Sequence, residues 1–505
     1  MNMRLVLLIL CSSFAHHTQA RMAGAGLGAT GGALVSPAAT VISSSSFGAS
    51  NATTYTISTG GRYLLKDSVA FSPASGIPAI SITGDNIILD LGGQTVSQGN
   101  SQADSIGVNI ATTVNNVIVK NGQIKGFTGE SIKIGTSCTN ITIDNMHIDS
   151  GIDTGISFVG SSGSEIIGCT VKNCVISNNT GAGEASTDAY GIKIANADGI
   201  LIEDTDIIGM RTSSAANDSY GCYITTATNI VLRNVHSGSH NGAECCAFYA
   251  TSTVGLQMYN CEASGCSSYK TSGTGVVGYF IGSSQGCILD ECVSVGHKAV
   301  FSSYGVYLTS STGVVVQNCK ALGHSIVGST ANSRCSGFYS DRGVGNVWDG
   351  CEAAGNMGAS ATTSIVTGFM LNLGEYQATF NNCIARGNGD ITSTAKAYGF
   401  WMRHDGSFAR GVRNSHIKGC SAISNCSVTS NSAIGFYDDL TPNTKNLFID
   451  NYAYGNSVTE GLTGTVSTNN YNVTMVGTFN LISANITSIL NLANKPLYYN
   501  VGINA

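Results

Sequence analysis

The chain has 505 residues, of which 11% are charged, 63 are glycine and only 5 are proline, and its formal net charge is -6. Low charge combined with many short apolar runs excludes an intrinsically disordered chain, which needs low hydrophobicity and high charge. The sequence has no block of basic residues, so nucleic acid is not an expected partner.

The first segment has the layout of an export signal. Arg4 supplies a positive start, Leu5–Leu10 an apolar run, and Thr18-Gln19-Ala20 small residues at the positions that precede cleavage. The apolar run is too short to cross a bilayer, and no later segment is long and apolar enough, so we expect no membrane span. We therefore predict a signal peptide at 1–20 and a secreted or cell-surface protein.

Residues 21–54 are rich in Gly, Ala, Ser and Thr and show little periodicity, which predicts a flexible leader. A repeat dominates residues 55–460, and its units begin at a glycine or alanine roughly every 30 residues. The unit starts are Gly191, Gly221, Ala247, Gly278, Gly305, Gly337, Gly368, Gly399 and Gly435, and earlier units that start at Gly107, near Ser131 and at Gly155 are shorter, about 24 residues apart. Variable insertions fall just before these starts, which places loops on one face of a solenoid.

Each unit holds three short β-runs, such as GVYL, VVVQ and KAL, with no helical pattern between them. Together with SITGDNIILDLGGQTV, TNITIDNMHIDSG and VNNVIVKNGQIKGF, this pattern resembles the pectin-lyase-like superfamily over residues 55–460. The resemblance implies an all-β, right-handed parallel β-helix solenoid with three short strands per coil and about twelve or more coils. Residues 461–505 lose the repeat, and we expect them to form a C-terminal cap over the open end.

A column of small residues recurs fourteen residues after the unit start: Cys169, Thr205, Val235, Cys261, Cys292, Cys319 and Cys351, with Cys383 one residue late. Because Val and Thr share the column, we expect a buried corner filler, preceded by a turn residue in the left-handed conformation. The alternatives are disulfides, for which the off-column Cys245, Cys246 and Cys335 are better placed, and a metal site. No metal is predicted, because the spacings lack the local pairs of metal ligands.

Alternation along the strand predicts an outward aromatic row two residues after the unit start. The row includes Tyr307, Tyr339, Trp401 and Tyr437, and Asp341 lies on the same face. Rows of this kind can bind sugar rings, or the rings can stack across strands and only stabilise the sheet. We take these five residues as the candidate binding site.

Charge gathers on the same face only in the later coils. The catalytic candidates are Arg403, His404, Asp405, Asp438 and Asp439. Asp341 and Asp439 are three coils apart, about 14 Å, which exceeds the separation of paired glycosidase carboxylates. No motif of the active β-helix families is complete, so no catalytic residue is carried over from them.

The first hypothesis is an exported surface or secreted protein with a binding or structural role, in contact with a polysaccharide or cell-surface glycan. The alternative is a polysaccharide-active lyase or glycoside hydrolase with its site near residues 341–439. The sequence identifies no cofactor, although the lyase alternative would bring calcium with it. It does not predict an oligomeric state.

Overall fold

The computed structural model describes residues 38–180, 188–214, 216–328, 333–358, 364–372, 374–389, 396–403, 412–425, 433–438, 446–454, 459–463 and 471–476. Apart from one short 3-10 helix at Ser44–Phe47, the regular elements of this part of the chain are strands that pair in parallel. Sheet 1 has fifteen strands in chain order, one from each coil. Its strands are Tyr55–Ile57, Pro78–Ile82, Ile106–Ile110, Ile132–Ile134, Thr154–Val159, Ala189–Ala195, Ser219–Thr225, Cys245–Thr251, Val276–Gly282, Ser302–Thr309, Arg334–Asp341, Ile365–Asn372, Lys396–Met402, Ala433–Asp438 and Thr459–Thr463.

Sheet 2 has twenty-seven strands and contributes the other two strands of most coils. Its strands are Thr40–Ile42, Gly61–Leu65, Val69–Phe71, Ile87–Asp90, Thr95–Gln98, Asn115–Lys125, Thr139–Asp149, Ile166–Ile167, Thr170–Lys172, Val175–Ser177, Ala197–Asp198, Leu201–Ile208, Val231–Gly238, Gln257–Tyr259, Glu262–Ser264, Ile288–Asp290, Val293–Val295, Val315–Gln317, Lys320–Leu322, Val347–Asp349, Glu352–Ala354, Thr379–Asn381, Ile384–Arg386, His416–Lys418, Ser421–Ile423, Leu447–Tyr454 and Tyr471–Val476. A small sheet 3 joins Asn241–Gly242, Ser267–Ser268, Lys298–Ala299 and Ser325–Ile326.

This architecture confirms the predicted parallel β-helix with three short strands per coil. Two boundaries differ from the expected ones. Strand Thr40–Ile42 pairs with Gly61–Leu65, so the first described strand precedes Tyr55. Strands Thr459–Thr463 and Tyr471–Val476 continue sheets 1 and 2 past residue 460. The part of the predicted cap that follows residue 476 lies outside the described residues.

Apolar side chains fill the interior in rows that follow the coil register. Phe338, Phe369, Phe400 and Phe436, each one residue after a unit start, are buried and stack with ring centroids 4.7–4.9 Å apart. Equivalent residues of neighbouring parallel coils lie close to one strand spacing apart, which matches the stacking distance of aromatic rings. The row is therefore continuous core packing along the solenoid axis.

The cysteine column also lies inside. The register aligns Cys261, Cys292, Cys319, Cys351, Cys383 and Cys420 on successive coils. All fifteen described cysteines, including the off-column Cys245, Cys246 and Cys335, are buried and unpaired. The residues before them adopt the left-handed conformation, as Asn260, Asn318 and Asn382 do with φ of 50–53°. These observations agree with the predicted corner filler.

One member of the column was assigned wrongly from the sequence. Val175 pairs with Asp206, so Cys174 aligns with Thr205, whereas Cys169 aligns with the core residue Ile200. The cause is a small hairpin, closed by an antiparallel bridge between Ser161 and Ser164, that adds residues inside this coil. Counting fourteen residues from the unit start therefore gives Cys169, which lies at a different corner of the coil from the rest of the column.

A second buried column is polar and had not been singled out from the sequence. Its members, which we call the His/Asn column, are His240, His297, His324, Asn356, Asn388 and Asn425. Each accepts a hydrogen bond from the backbone of the preceding coil: the N–H of His297 donates to Nδ1 of His324 at 3.4 Å, and the N–H of His324 donates to Oδ1 of Asn356 at 3.2 Å. The column therefore satisfies backbone groups at a corner where the sheets end.

The other ring nitrogen has a partner in two of the three histidine coils. Ser237 Oγ lies 2.9 Å from Nε2 of His240, and Ser294 Oγ lies 3.0 Å from Nε2 of His297. In the next coil Ala321 stands at the register position of Ser294, and Nε2 of His324 is buried without a partner.

We predict that Ala321→Ser supplies this missing hydrogen bond and raises the free energy of unfolding by about 1 kcal/mol. The gain is measured by urea unfolding at pH 7.5. The matched control is Ala353→Ser in the following coil, where Asn356 Nδ2 already donates to Asn388 at 2.8 Å, so no gain is expected. Equal gains in the two variants, or a loss in Ala321→Ser, would contradict the assignment.

Candidate functional site

The outer surface of sheet 1 carries an aromatic row that is separate from the core. The register aligns Tyr223, Tyr249, Phe280, Tyr307, Tyr339, Met370, Trp401 and Tyr437. Most of them form an apolar cluster of their own, distinct from the interior cluster that holds Phe338 and Phe369. Adjacent strand residues thus face opposite sides, as the sequence predicted. We call this surface the outer face.

Much of the row is packed ring against ring. Tyr223 and Tyr249 stack at 4.9 Å and 1°, and Tyr249 and Phe280 stack at 4.6 Å and 4°. From there the geometry changes: the rings of Tyr307 and Tyr339 meet edge to face at 4.8 Å and 86°. The faces of parallel stacked rings are covered by the neighbouring rings. The early part of the row therefore has little ring surface left for a ligand.

Three acids also line up on this surface, three residues before their unit starts: Asp188, Asp218 and Glu244. The N–H of Asp218 donates to Asp188 Oδ1, and the N–H of Glu244 donates to Asp218 Oδ1, both at 2.9 Å. Tyr190 and Tyr220 donate to the remaining oxygens at 2.9 and 3.2 Å. Burial, with the two neighbouring carboxylates, raises the pKa of Asp218.

Sequence reasoning missed this acidic ladder, although reading the repeat three residues before each unit start would have found it. Glu244, its last member, is neutralised by Lys270, with Nζ 2.6 Å from Oε1. Since the carboxylates hold backbone N–H groups, tyrosine hydroxyls and a lysine, we read the ladder as a device that joins coils.

Buried serine hydroxyls without a partner occur in early coils too, as at Ser131 and Ser219, but in the later coils of sheet 1 the unpartnered atoms include a carboxylate, an amide and an indole. Asp341 Oδ2 accepts from Nε of Arg342 at 3.2 Å, whereas Oδ1 has no partner. Asn372 Nδ2 donates to the hydroxyl of Tyr339 at 2.7 Å, whereas Oδ1 has no partner. Trp401 Nε1 is also buried and unpartnered. We call Tyr339, Asp341, Asn372 and Trp401 the Trp401 patch.

The patch is buried but has exposed and charged neighbours. Asp341 is 4% exposed and Trp401 7%, whereas the side chain of Arg342 is 61% exposed. Burial raises the pKa of the Asp341 carboxyl, and the guanidinium of Arg342 offsets part of that rise. Nη1 of Arg334 lies 3.4 Å from the hydroxyl of Tyr339.

The structure brings most of the predicted binding residues together. Tyr307 is half-buried against Tyr339, Asp341 follows on the same strand, and Tyr437 lies 6.0 Å from Trp401, ring centroid to ring centroid. The indole of Trp401 is flanked by Tyr398 at 4.6 Å and by the guanidinium of Arg403 at 5.5 Å. The aromatic surface available to a ligand is therefore smaller than the sequence suggested. A binding site here is supported more by the unpartnered polar atoms than by the rings.

The structure describes only some of the predicted catalytic residues. Arg403 is half-buried, with its guanidinium over the Trp401 ring. Asp438 ends a strand of sheet 1, but its side chain is not among the described ones. His404, Asp405 and Asp439 lie outside the described residues, so convergence of these five groups stays a prediction.

Two general features bear on the kind of site. Within the described ranges, no cluster of three or more His, Cys, Asp or Glu side chains has the arrangement to hold a metal ion. No helix in those same ranges is long and apolar enough to cross a membrane.

Residues 168–344 match the family model described as right handed beta helix region. The A-module of mannuronan C-5 epimerase AlgE6 from Azotobacter vinelandii is similar at 12% identity and TM-score 0.35, over 83% of this chain and 91% of that one. The periplasmic alginate epimerase AlgG is similar at 10% identity and TM-score 0.40, over 80% and 79%.

A double mutant of the tailspike protein of an E. coli bacteriophage, in complex with a pentasaccharide, is similar at 14% identity and TM-score 0.35, over 84% and 74%. No curated protein sequence matches the chain. The likeness to the solved structures concerns the fold alone.

Proposed function

We propose that this chain, a right-handed parallel β-helix protein of the pectin-lyase-like superfamily, is an exported protein that binds a glycan at the Trp401 patch of its outer face. The observation that supports the proposal is the set of unpartnered buried atoms on Asp341, Asn372 and Trp401. A buried polar atom without a partner costs about 1–3 kcal/mol, so several on one surface favour a ligand that completes them.

The aromatic neighbours fit the same role. Sugar rings present apolar faces beside hydroxyl groups, and binding sites for them combine aromatic side chains with a few placed polar groups. Tyr307, which is half-buried, supplies apolar surface beside Tyr339 and Asp341. The export signal predicted at residues 1–20 would bring this surface into contact with extracellular or cell-surface polysaccharides.

We predict that Trp401→Ala lowers the affinity for a bound glycan at least about tenfold, which corresponds to 1.4 kcal/mol. Retention on insoluble polysaccharides and a glycan array identify the ligand, and calorimetry gives the affinity. The matched control is Tyr249→Ala, an aromatic of the same row whose ring is stacked on Tyr223 and Phe280. That variant should bind as the unchanged protein does.

The result that contradicts the proposal is the absence of any retained glycan, or equal losses in the two variants. The enzyme alternative is tested in the same samples by assaying reducing ends and unsaturated products on polyuronides. Turnover that Arg403→Ala abolishes would overturn a purely binding role.

A further inference from the structure

We infer that the Trp401 patch selects a neutral sugar, whose adjacent hydroxyl groups donate to Asp341 and Asn372, over a uronate carboxylate. This inference rests on the proposed function and adds the class of ligand. It follows from the hydrogen-bonding character of the unpartnered atoms and from where the register places them.

The two unpartnered oxygens belong to neighbouring coils. Asp341 and Asn372 are direct register partners on adjacent parallel strands, which lie about 4.8 Å apart. Both side chains are almost fully buried, at 4% and 1% exposure. Each uses its other polar atom internally, Asp341 with Arg342 and Asn372 with the hydroxyl of Tyr339. What remains is a pair of acceptors side by side.

A pair of acceptors needs donors. A carboxylate oxygen and an amide oxygen can only accept, so the matching ligand carries two donating groups at close spacing. Adjacent ring hydroxyls of a sugar have this character, and they also accept, which suits the unpartnered N–H of Trp401. The carboxylate of a uronate would face lone pairs with lone pairs, an arrangement that costs free energy.

The positive groups of the described surface do not reverse this preference. The guanidinium of Arg342 already contacts Asp341, and that of Arg403 lies over the Trp401 ring. Arg334 points one nitrogen at the hydroxyl of Tyr339. Because the side chain of Arg342 is 61% exposed and contacts Asp341, we place the entrance for the sugar there.

The test uses the full chain and three sets of probes: neutral hexasaccharides of glucose, mannose and galactose, hexamers of galacturonate and mannuronate, and O-methylated forms of the neutral hexamers. We expect a neutral hexamer to bind, its methylated form to bind at least about tenfold more weakly, and the uronates to bind more weakly than the neutral sugars. Asp341→Asn should weaken binding of the neutral hexamer about tenfold or more, because a charge-assisted acceptor is lost. Asp349→Asn, an exposed carboxylate on sheet 2, should leave it unchanged.

The outcomes separate this inference from the proposed function. A uronate that binds more tightly than its neutral counterpart, or a methylated hexamer that binds as well as the free one, would overturn the inference while glycan binding stands. If none of the probes binds and the wider glycan array is also blank, the proposed function fails and the inference fails with it. Circular dichroism of Asp341→Asn, compared with the unchanged protein, shows whether the variant has kept its fold.

Discussion

Lowering the pH from 7 to 5 is expected to reduce the free energy of unfolding by several kcal/mol, chiefly through the buried histidines of the His/Asn column. Burial lowers the pKa of His240 and His297 to about 3, and burial lowers the pKa of His324 well below its ordinary value. Neighbouring histidines lower the pKa of His240 and His324 further. The folded protein therefore keeps these rings neutral.

The direction of this change in stability follows from the number of protons that the folded and unfolded chains bind. Below about pH 6.5 the unfolded chain binds a proton on each histidine, whereas the folded chain does not until about pH 3 for His240 and His297. Each such histidine removes about 1.4 kcal/mol of stability per pH unit within that window. The hydrogen bonds explain why protonation is resisted: Nδ1 of His324 accepts from the N–H of His297, so a proton on it would set two donors against each other.

Glu375 acts in the opposite direction. It is fully buried, it accepts hydrogen bonds from the N–H of Gly343 and from Asn346, and burial raises its pKa to about 7. Between pH 4.5 and 7 the folded chain holds a proton on Glu375 that the unfolded chain does not. The stability that this group contributes to the fold is therefore lost as the pH rises. Burial also raises the pKa of Asp218 and Asp341, so these carboxyls act in the same direction as Glu375, and together they offset part of the loss from the three histidines.

The double variant His297→Asn/His324→Asn isolates the histidine contribution. Asparagine stands at the same column position in the next three coils and accepts the same backbone bond, for example from the N–H of Asn388 to Asn425 Oδ1 at 3.2 Å. Below about pH 5.5, where the unfolded histidines are almost fully protonated, the slope of unfolding free energy against pH should fall by about 2.7 kcal/mol per unit. The measurement is urea unfolding at several pH values. The control His416→Asn changes an exposed histidine and should keep the original slope. Equal slopes in the double variant and the unchanged protein would refute the assignment.

The sequence was sufficient for the fold because a solenoid repeats its local pattern. The glycine starts, the alternation after them and the left-handed turn before the column residue recur in most coils from Gly191 onward, so each feature is seen many times. Cys169 shows the limit: one small hairpin at Ser161–Ser164 shifted the count, and only the pairing of Val175 with Asp206 corrected it. A residue's position within its own repeat can be counted along the sequence. Which residue it pairs with in the sheet is set by the neighbouring coil.

The sequence predicted the surface on which the candidate residues lie, but not the contacts that their side chains make. Strand alternation placed Tyr307, Tyr339 and Trp401 on one surface, and the register confirms that placement. Whether a ring face is free, or whether a carboxylate such as Asp341 has a partner, depends on contacts between coils that composition does not encode. The unpartnered atoms of the Trp401 patch are of this kind, whereas the acidic ladder is visible in the sequence three residues before the unit starts Gly191, Gly221 and Ala247.

The glycine at the unit start should be one of the positions most sensitive to substitution. A Cβ at Gly305 would lie 2.5 Å from the carbonyl oxygen of Gly337, 2.6 Å from Ala321 Cβ and 2.8 Å from His324 Nε2. These atoms belong to the core or to the backbone of the next coil and have little room to move. We therefore expect Gly305→Ala to destabilise the protein by about 3 kcal/mol, the upper end of ordinary overpacking.

The chain itself contains the comparison that tests this explanation. Only one of the unit starts from Gly191 to Gly435 is an alanine, Ala247, and its coil has Cys266 where the neighbouring coils have His240 and His297. A smaller column residue thus leaves room for the extra methyl group. Adding His324→Cys to Gly305→Ala should recover at least about 1 kcal/mol relative to the sum of the single changes. A double-mutant cycle by urea unfolding measures this coupling, with Ala247→Gly as the control at the naturally relieved position, where the loss should stay within about 1 kcal/mol. A coupling near zero would mean that the carbonyl of Gly337, and not the column side chain, forbids a Cβ at Gly305.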